Sequence, residues 1–129
     1  MQDKIGWIGL GSMGNRMAKN LAKNGYQMLV TDKMDTSAAP QSAHVATTNS
    51  EVISEANILI LSIPAGPDTL EITQEILNSP SSSVEIVIDT STIGIPDAKK
   101  AAELLSKKGI EYVDAVSYTH LRAHETVVY

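Results

Sequence analysis

A chain of 129 residues forms one domain of ordinary size, able to bury roughly two thirds of the surface it exposes when unfolded, and 43% hydrophobic residues make it globular rather than disordered. Ten basic against fifteen acidic side chains give a net charge of −5 without a basic cluster, which argues against nucleic acid and against anionic membrane as partners. The lack of cysteine excludes a disulfide framework and thiolate chemistry, and is compatible with a cytoplasmic address.

The N-terminal stretch "MQDKIGWIGLGSMG" has neither the basic region nor the apolar run of a signal peptide. No apolar stretch approaches the ~20 residues that span a bilayer. "KIGWIGL" (Lys4–Leu10) reads as a strand, and "SMGNRMAKNLAKNG" as a helix closing at Gly25, whose missing Cβ suits a C-terminal cap. On that helix Gly14, Ala18 and Ala22 form a small-residue stripe. Met13, Met17 and Leu21 form an adjoining apolar row, and Arg16, Lys19 and Lys23 face water. "QMLVTD" (Gln27–Asp32) is a second strand. Lys33–Ala43, with Pro40 inside it, is expected to be loop or broken helix. "HVATT" is a short third strand, followed by a brief helix from Ser50 to Ala56. "NILILSIP" (Asn57–Pro64) is apolar on both faces, as a buried parallel strand is. A helix over Asp68–Leu77, a strand at "VEIVID" (Val84–Asp89), a helix from Pro96 to near Gly109 and a strand at "IEYVD" (Ile110–Asp114) follow. This alternation predicts an α/β fold, a Rossmann-type doubly wound parallel sheet of about six strands in the order 3-2-1-4-5-6. It forms one domain over residues 1–115.

The chemistry begins at "GLGSMG" (Gly9–Gly14), where Gly9, Gly11 and Gly14 keep the G-x-G-x-x-G spacing after a strand and at the mouth of a helix. Gly9 permits the tight turn, Gly11 lets backbone touch a pyrophosphate, and Gly14 lets the helix lie close on the sheet. Leu10, Ser12 and Met13 complete the turn around a diphosphate held by the helix N-terminus, with its partial charge of about +0.5. The bland alternative is three glycines that make a tight turn and nothing more. Asp32, 18 residues past Gly14 at the end of the second strand, can accept both ribose hydroxyls of an adenosine; its bland alternative is a strand-end cap. A 2′-phosphate there would be repelled by about 3 kcal/mol per unit charge at an effective dielectric near 20, so NAD is expected over NADP, with Lys33 as the counterweight.

"IGWIGLGSMGNRMAKNLAKNGY", "ILILSIP" and "DTSTIGIP" together resemble the β-hydroxyacid dehydrogenases, the family that includes 3-hydroxyisobutyrate dehydrogenase and tartronate semialdehyde reductase. The resemblance implies that Ile63 and Pro64 lie against the cofactor and that Thr92 sits by the nicotinamide ribose. Read alone, Pro64 ends a strand and Thr92 caps a turn. It also implies hydride transfer between nicotinamide C4 and the carbinol carbon of a short β-hydroxyacid, with a catalytic lysine in a helical second domain. The family's segment Asp-Ala-Pro-Val-Ser-Gly-Gly is matched only at Asp114 and Ala115. No lysine here matches the catalytic one, so no catalytic residue is assigned. The cofactor halves of 6-phosphogluconate dehydrogenases and imine reductases look alike, and Asp32 counts against the first. A stand-alone NAD-binding module without catalysis is the alternative of a different class.

The end of the chain reads differently. "VSYTHLRAHET" (Val116–Thr126) back-translates, in one frame, to the transposon-adaptor end of a common sequencing-library preparation. Residues 116–129 are therefore expected to be a non-native or disordered tail, which leaves His120 and His124 without a role. The rival readings are a surface helix, a one-residue deletion in the family's segment, and a metal or acid/base pair. Two imidazoles without a third ligand make no usual zinc site, and no metal is expected. As written, the chain is expected to bind NAD weakly or not at all and not to turn over.

Overall fold

The computed structural model describes residues 3–63, 66–91, 95–115 and 127–128. The expectations for Pro64, Thr92, His120, His124 and the segment 116–126 lie outside these residues. In chain order the elements are β1 (Ile5–Ile8), α1 (Ser12–Lys23), β2 (Met28–Thr31), β3 (His44–Val45), α2 (Asn49–Glu55), β4 (Ile58–Leu61), α3 (Gly66–Asn78), β5 (Ile86–Asp89), α4 (Ile95–Ser106), β6 (Glu111–Asp114) and β7 (Val127–Val128). They build one sheet in the order β3-β2-β1-β4-β5-β6-β7. Its first six strands are parallel in the expected order, and the two-residue β7 adds an antiparallel pairing to β6.

The register sets up the site. Thr31, Ile8, Leu61, Asp89 and Asp114 lie in one row across β2, β1, β4, β5 and β6. The residues that follow each of them emerge together at the carboxyl edge, where ligands of doubly wound sheets bind.

Two apolar clusters hold the sheet from its two faces. On one face Val52 and Ile53 of α2, Ile72 and Ile76 of α3, and Ala98, Ala101 and Leu105 of α4 pack onto Leu59, Leu61, Val87 and Tyr112. On the other, α1 lays Ala18, Met17 and Leu21 against Trp7, Met28, Val30 and Ile60. Leu59, Ile60 and Leu61 are therefore all buried, which explains the continuous apolar run of β4. Each such side chain contributes roughly 1.5–3 kcal/mol.

The connection from β2 to β3 is not a helix. Residues 33–43 form successive turns, closed by Ala39 N–H to Thr36 O (3.0 Å) and Ala43 N–H to Pro40 O (3.1 Å). Ala39 and Ala43 pack against the α1-side cluster in place of a helix. α1 ends as the sequence predicts: Gly25 adopts φ +90°, the Gly25 N–H bonds Ala22 O, and the Tyr26 N–H bonds Leu21 O. This is the paired C-terminal closure that a left-handed glycine allows. Gly6 carries a constraint that no sequence motif marks. A Cβ there would overlap Val52 Cγ1 and stand 2.7 Å from Ala56 Cβ, because α2 crosses directly over β1.

One expectation needs correction. Met13 does not continue the apolar row of Met17 and Leu21; it is 53% exposed. Position 13 lies in the first turn of α1 and lines the open cleft rather than the packed face of the sheet.

Candidate dinucleotide-binding cleft

The turn between β1 and α1 is built from its backbone. Gly9 adopts φ +110°, a conformation costly for any residue with a Cβ, and a Cβ there would collide with the carbonyl oxygen of Ser62. The Gly9 N–H bonds Thr31 O at 3.0 Å, and its carbonyl accepts the indole N–H of the buried Trp7 at 2.7 Å. Gly14 packs against that same carbonyl: a Cβ would overlap Gly9 O and stand 3.0 Å from Ser62 Oγ. The glycine thus brings α1 onto the end of the sheet, as the motif predicts. Gly11 is different, because a Cβ there would meet nothing within 4 Å. Its glycine leaves open space over the first turn of α1. Gly11 is also the N-cap and supplies no side-chain cap, so the first-turn N–H groups remain available to an anion.

Asp32 lies where the second strand ends, and its carboxylate is already engaged. One oxygen accepts the Leu10 N–H at 2.5 Å; the other accepts the N–H groups of Met34 (2.7 Å) and Asp35 (3.1 Å). The cap role and the ribose role are therefore not exclusive. A carboxylate offers about four lone-pair sites, and the backbone bonds fix its plane beside the glycine turn. Asp35, which the sequence reading passed over, also lines the cleft. The Ser37 N–H (2.8 Å), with a smaller contribution from the Ser37 side chain, holds its carboxyl below the ordinary carboxylate value. Asp32 and Asp35 together make this end of the cleft acidic.

The opposite end is formed by Ser62 and Ile63 after β4 and by Thr90 and Ser91 after β5. Thr90 Oγ1 donates to Leu61 O at 2.7 Å, and the Ile63 N–H donates to Ser91 Oγ at 2.7 Å. Below them Asp89 is fully buried. It accepts from Thr69 Oγ1 (3.1 Å), Tyr112 Oη (2.7 Å) and the Ser91 N–H (2.9 Å). Its register neighbour Asp114 keeps Oδ1 buried with no hydrogen-bond partner among the described residues. Burial, and secondly the charge of Asp89, push the Asp114 carboxyl above its ordinary value.

The expected residues from Gly9 to Gly14, with Asp32 and Ile63, line one cleft of about 1320 Å³. Lys33 is the one basic side chain among its described lining residues, against five acidic ones. An anion in this cleft would meet the backbone N–H groups and dipole of α1, with Lys33 as the one lining side-chain cation among the described residues. Among the described residues no group of three or more potential metal ligands occurs, and no helix is long and apolar enough to cross a membrane.

Residues 4–126 match the family described as the NAD binding domain of 6-phosphogluconate dehydrogenase. The chain belongs to this family. It is 34% identical over 122 residues to 2-(hydroxymethyl)glutarate dehydrogenase of Eubacterium barkeri, an alignment that covers 87% of this chain and 39% of that protein. It is 34% identical over 120 residues to mitochondrial 3-hydroxyisobutyrate dehydrogenase of Mus musculus, covering 86% of this chain and 35% of that protein. Its fold superposes on a structure of 3-hydroxyisobutyrate dehydrogenase from Mycobacterium tuberculosis with L-serine, at a TM-score of 0.80 and 28% identity. That match covers 92% of this chain and 41% of the other. The chain therefore spans well under half the length of the relatives it matches. It is an NAD-binding domain similar to the cofactor-binding part of hydroxyacid dehydrogenases.

Proposed function

We propose that the cleft holds NAD with its diphosphate on the first turn of α1, its adenosine ribose on Asp32 and its nicotinamide half toward Ile63 and Ser91. The carrying observation is the open space over Gly11, which joins unpaired N–H groups to the fixed carboxylate of Asp32. Gly9, Leu10, Gly11, Ser12, Met13 and Gly14 form the diphosphate turn on this reading. Pro64 and Thr92 extend the nicotinamide end, as the family resemblance implies.

In the full-length protein we assign this domain the cofactor half of a dehydrogenase acting on a short β-hydroxyacid. When bound, NAD supplies the hydride acceptor, while the chain's own residues bind and orient it. The group that moves the hydroxyl proton is assigned to the part of the relatives beyond the matched segment, and none of the lysines present here is nominated for it. A cytoplasmic address fits the cysteine-free composition. Residues 116–129 are proposed to be a non-native tail, which sequencing the DNA on both sides of codon 115 tests directly.

Calorimetric titration of the chain with NAD and NADP checks the cofactor reading. Weak NAD binding is expected, with Kd on the order of 0.1–1 mM, about −4 to −5.5 kcal/mol. NADP should bind at least tenfold more weakly, and replacing Asp32 with alanine should erase that gap. Equal affinity for both cofactors in the unaltered chain contradicts the role of Asp32. Hydroxyacid-dependent NADH formation by the 129-residue chain is expected to be undetectable; clear turnover would place the proton-transfer group within it.

A further inference from the structure

A fully buried carboxylate is costly unless its environment is built for it. Asp89 has such an environment, and none of it is needed to grip a diphosphate or an adenosine. Its Oδ2 accepts hydrogen bonds from hydroxyls on two neighbouring elements, Thr69 of α3 and Tyr112 of β6, while its Oδ1 accepts one from the N–H of Ser91 two residues on. The last contact is an Asx-type turn, which sets the direction of Ser91. Ser91, itself buried, then accepts the Ile63 N–H. The ladder between β1 and β4 closes one residue earlier, where Ser62 N–H bonds Ile8 O at 2.9 Å. The backbone of Ile63 thus leaves the sheet and is caught by a side chain from β5's end. Ile63 and Ser91 both wall the cleft at the end away from Asp32.

We propose that Asp89 is a positioning residue for this end of the cleft, acting through Ser91 on the backbone of Ile63 to shape the seat of the nicotinamide half. It rests on the reading of the cleft as an NAD site. A dinucleotide laid across the switch point with its adenosine on Asp32 places its other nucleoside over the β4–β5 side. The three donors on Asp89 couple that seat to α3 and β6, so a shift of either element reaches the cleft wall through two hydrogen bonds. A carboxylate suits the task because it only accepts. All three partners can donate at once; an amide would set its NH2 either against the Ser91 N–H, which cannot turn, or against the two hydroxyls, which would both have to.

A purely structural Asp89 would weaken every ligand of the cleft alike, whereas a positioning role divides the two halves of the cofactor. NMR titration of the 129-residue chain with NAD and with ADP, which lacks the nicotinamide riboside, separates these cases for the unaltered chain, Asp89→Asn and Ser91→Ala. The expected result is a five- to tenfold loss for NAD in both variants, about the worth of one buried hydrogen bond, with ADP unchanged within twofold. Equal losses for NAD and ADP, or no loss for either, overturn the inference while leaving the cofactor site standing. An unaltered chain that binds neither ligand overturns both. Should Asp89→Asn fail to fold, Ser91→Ala decides alone, since it removes only the oxygen that receives Ile63.

Discussion

Gly11 and Gly14 stand three residues apart in one motif, yet the structure assigns them different work. Replacing each with alanine separates the two. At Gly14 the new Cβ overlaps the carbonyl oxygen of Gly9 and lies 3.0 Å from Ser62 Oγ and 3.1 Å from the Gly9 carbonyl carbon. The nearest obstacle is backbone, so α1 must shift on the sheet, at an overpacking cost of about 1–3 kcal/mol. Alanine's better helix propensity returns up to ~1 kcal/mol. The net loss of about 1–2 kcal/mol lowers Tm by roughly 3–8 °C for a domain of this size. At Gly11 the backbone is at φ −66° and the Cβ meets nothing, so the change costs only ~0.5 kcal/mol from weaker N-capping. That Cβ enters the space proposed for the diphosphate. Losing one charge-assisted hydrogen bond of about 1.5–3 kcal/mol weakens NAD binding roughly 10- to 150-fold. Thermal melts by circular dichroism and NMR titration with NAD read the two effects. A Gly14→Ala variant that melts at or above the unaltered chain, or a Gly11→Ala variant that binds NAD unchanged, refutes this division.

Other substitutions probe the rest of the cleft. Asp32→Asn sets an amide NH2 against a backbone N–H whichever way it turns, because both carboxylate oxygens accept from the backbone. It should lower stability by about 1–3 kcal/mol in denaturant melts, while the NAD-over-NADP ratio falls at least tenfold. Tyr112→Phe removes one donor from the buried Asp89 and is expected to cost about 1–2 kcal/mol by the same assay. Asp114 supplies a pH test. Its folded-state pKa is raised by burial and by Asp89, so the protonated form is favoured on folding, and its penalty appears as pH rises through that elevated pKa. Asp114→Asn should match the unaltered chain near pH 3 and exceed it in Tm at pH 7; a gap that is the same at both pH values contradicts the assignment.

Much of this architecture is legible in the sequence because its signals are local. The glycine spacing, the small-residue face of α1, the closing Gly25 and the all-apolar β4 each follow from residues within a few positions of one another. Asp32 is legible for the same reason, as an acid that ends an apolar strand. Asp89 carries an identical signature in "VEIVID", but its partners do not. Thr69 and Tyr112 lie 20 and 23 residues away and meet it only once the register of β5 and β6 is fixed. The demand on Gly6 likewise comes from α2, which crosses β1 only after the sheet is ordered. Met13 is misread because helical periodicity says which face a residue shares, not where along the helix the sheet stops. The β2–β3 connection reads poorly because turns and a small alanine patch cover the sheet where a helix would leave a clear 3.6-residue period.

The turn above Gly9, the proposed seat of the NAD diphosphate, has a reporter built in. Trp7 is the only tryptophan, and its indole N–H donates to the Gly9 carbonyl, so its single indole resonance lies directly beneath the turn. Titrating the chain with NAD while following that resonance should give a saturable shift, absent in Gly11→Ala and weaker with NADP. A Trp7 resonance that stays fixed up to several times the expected Kd, in a folded chain, would contradict the account.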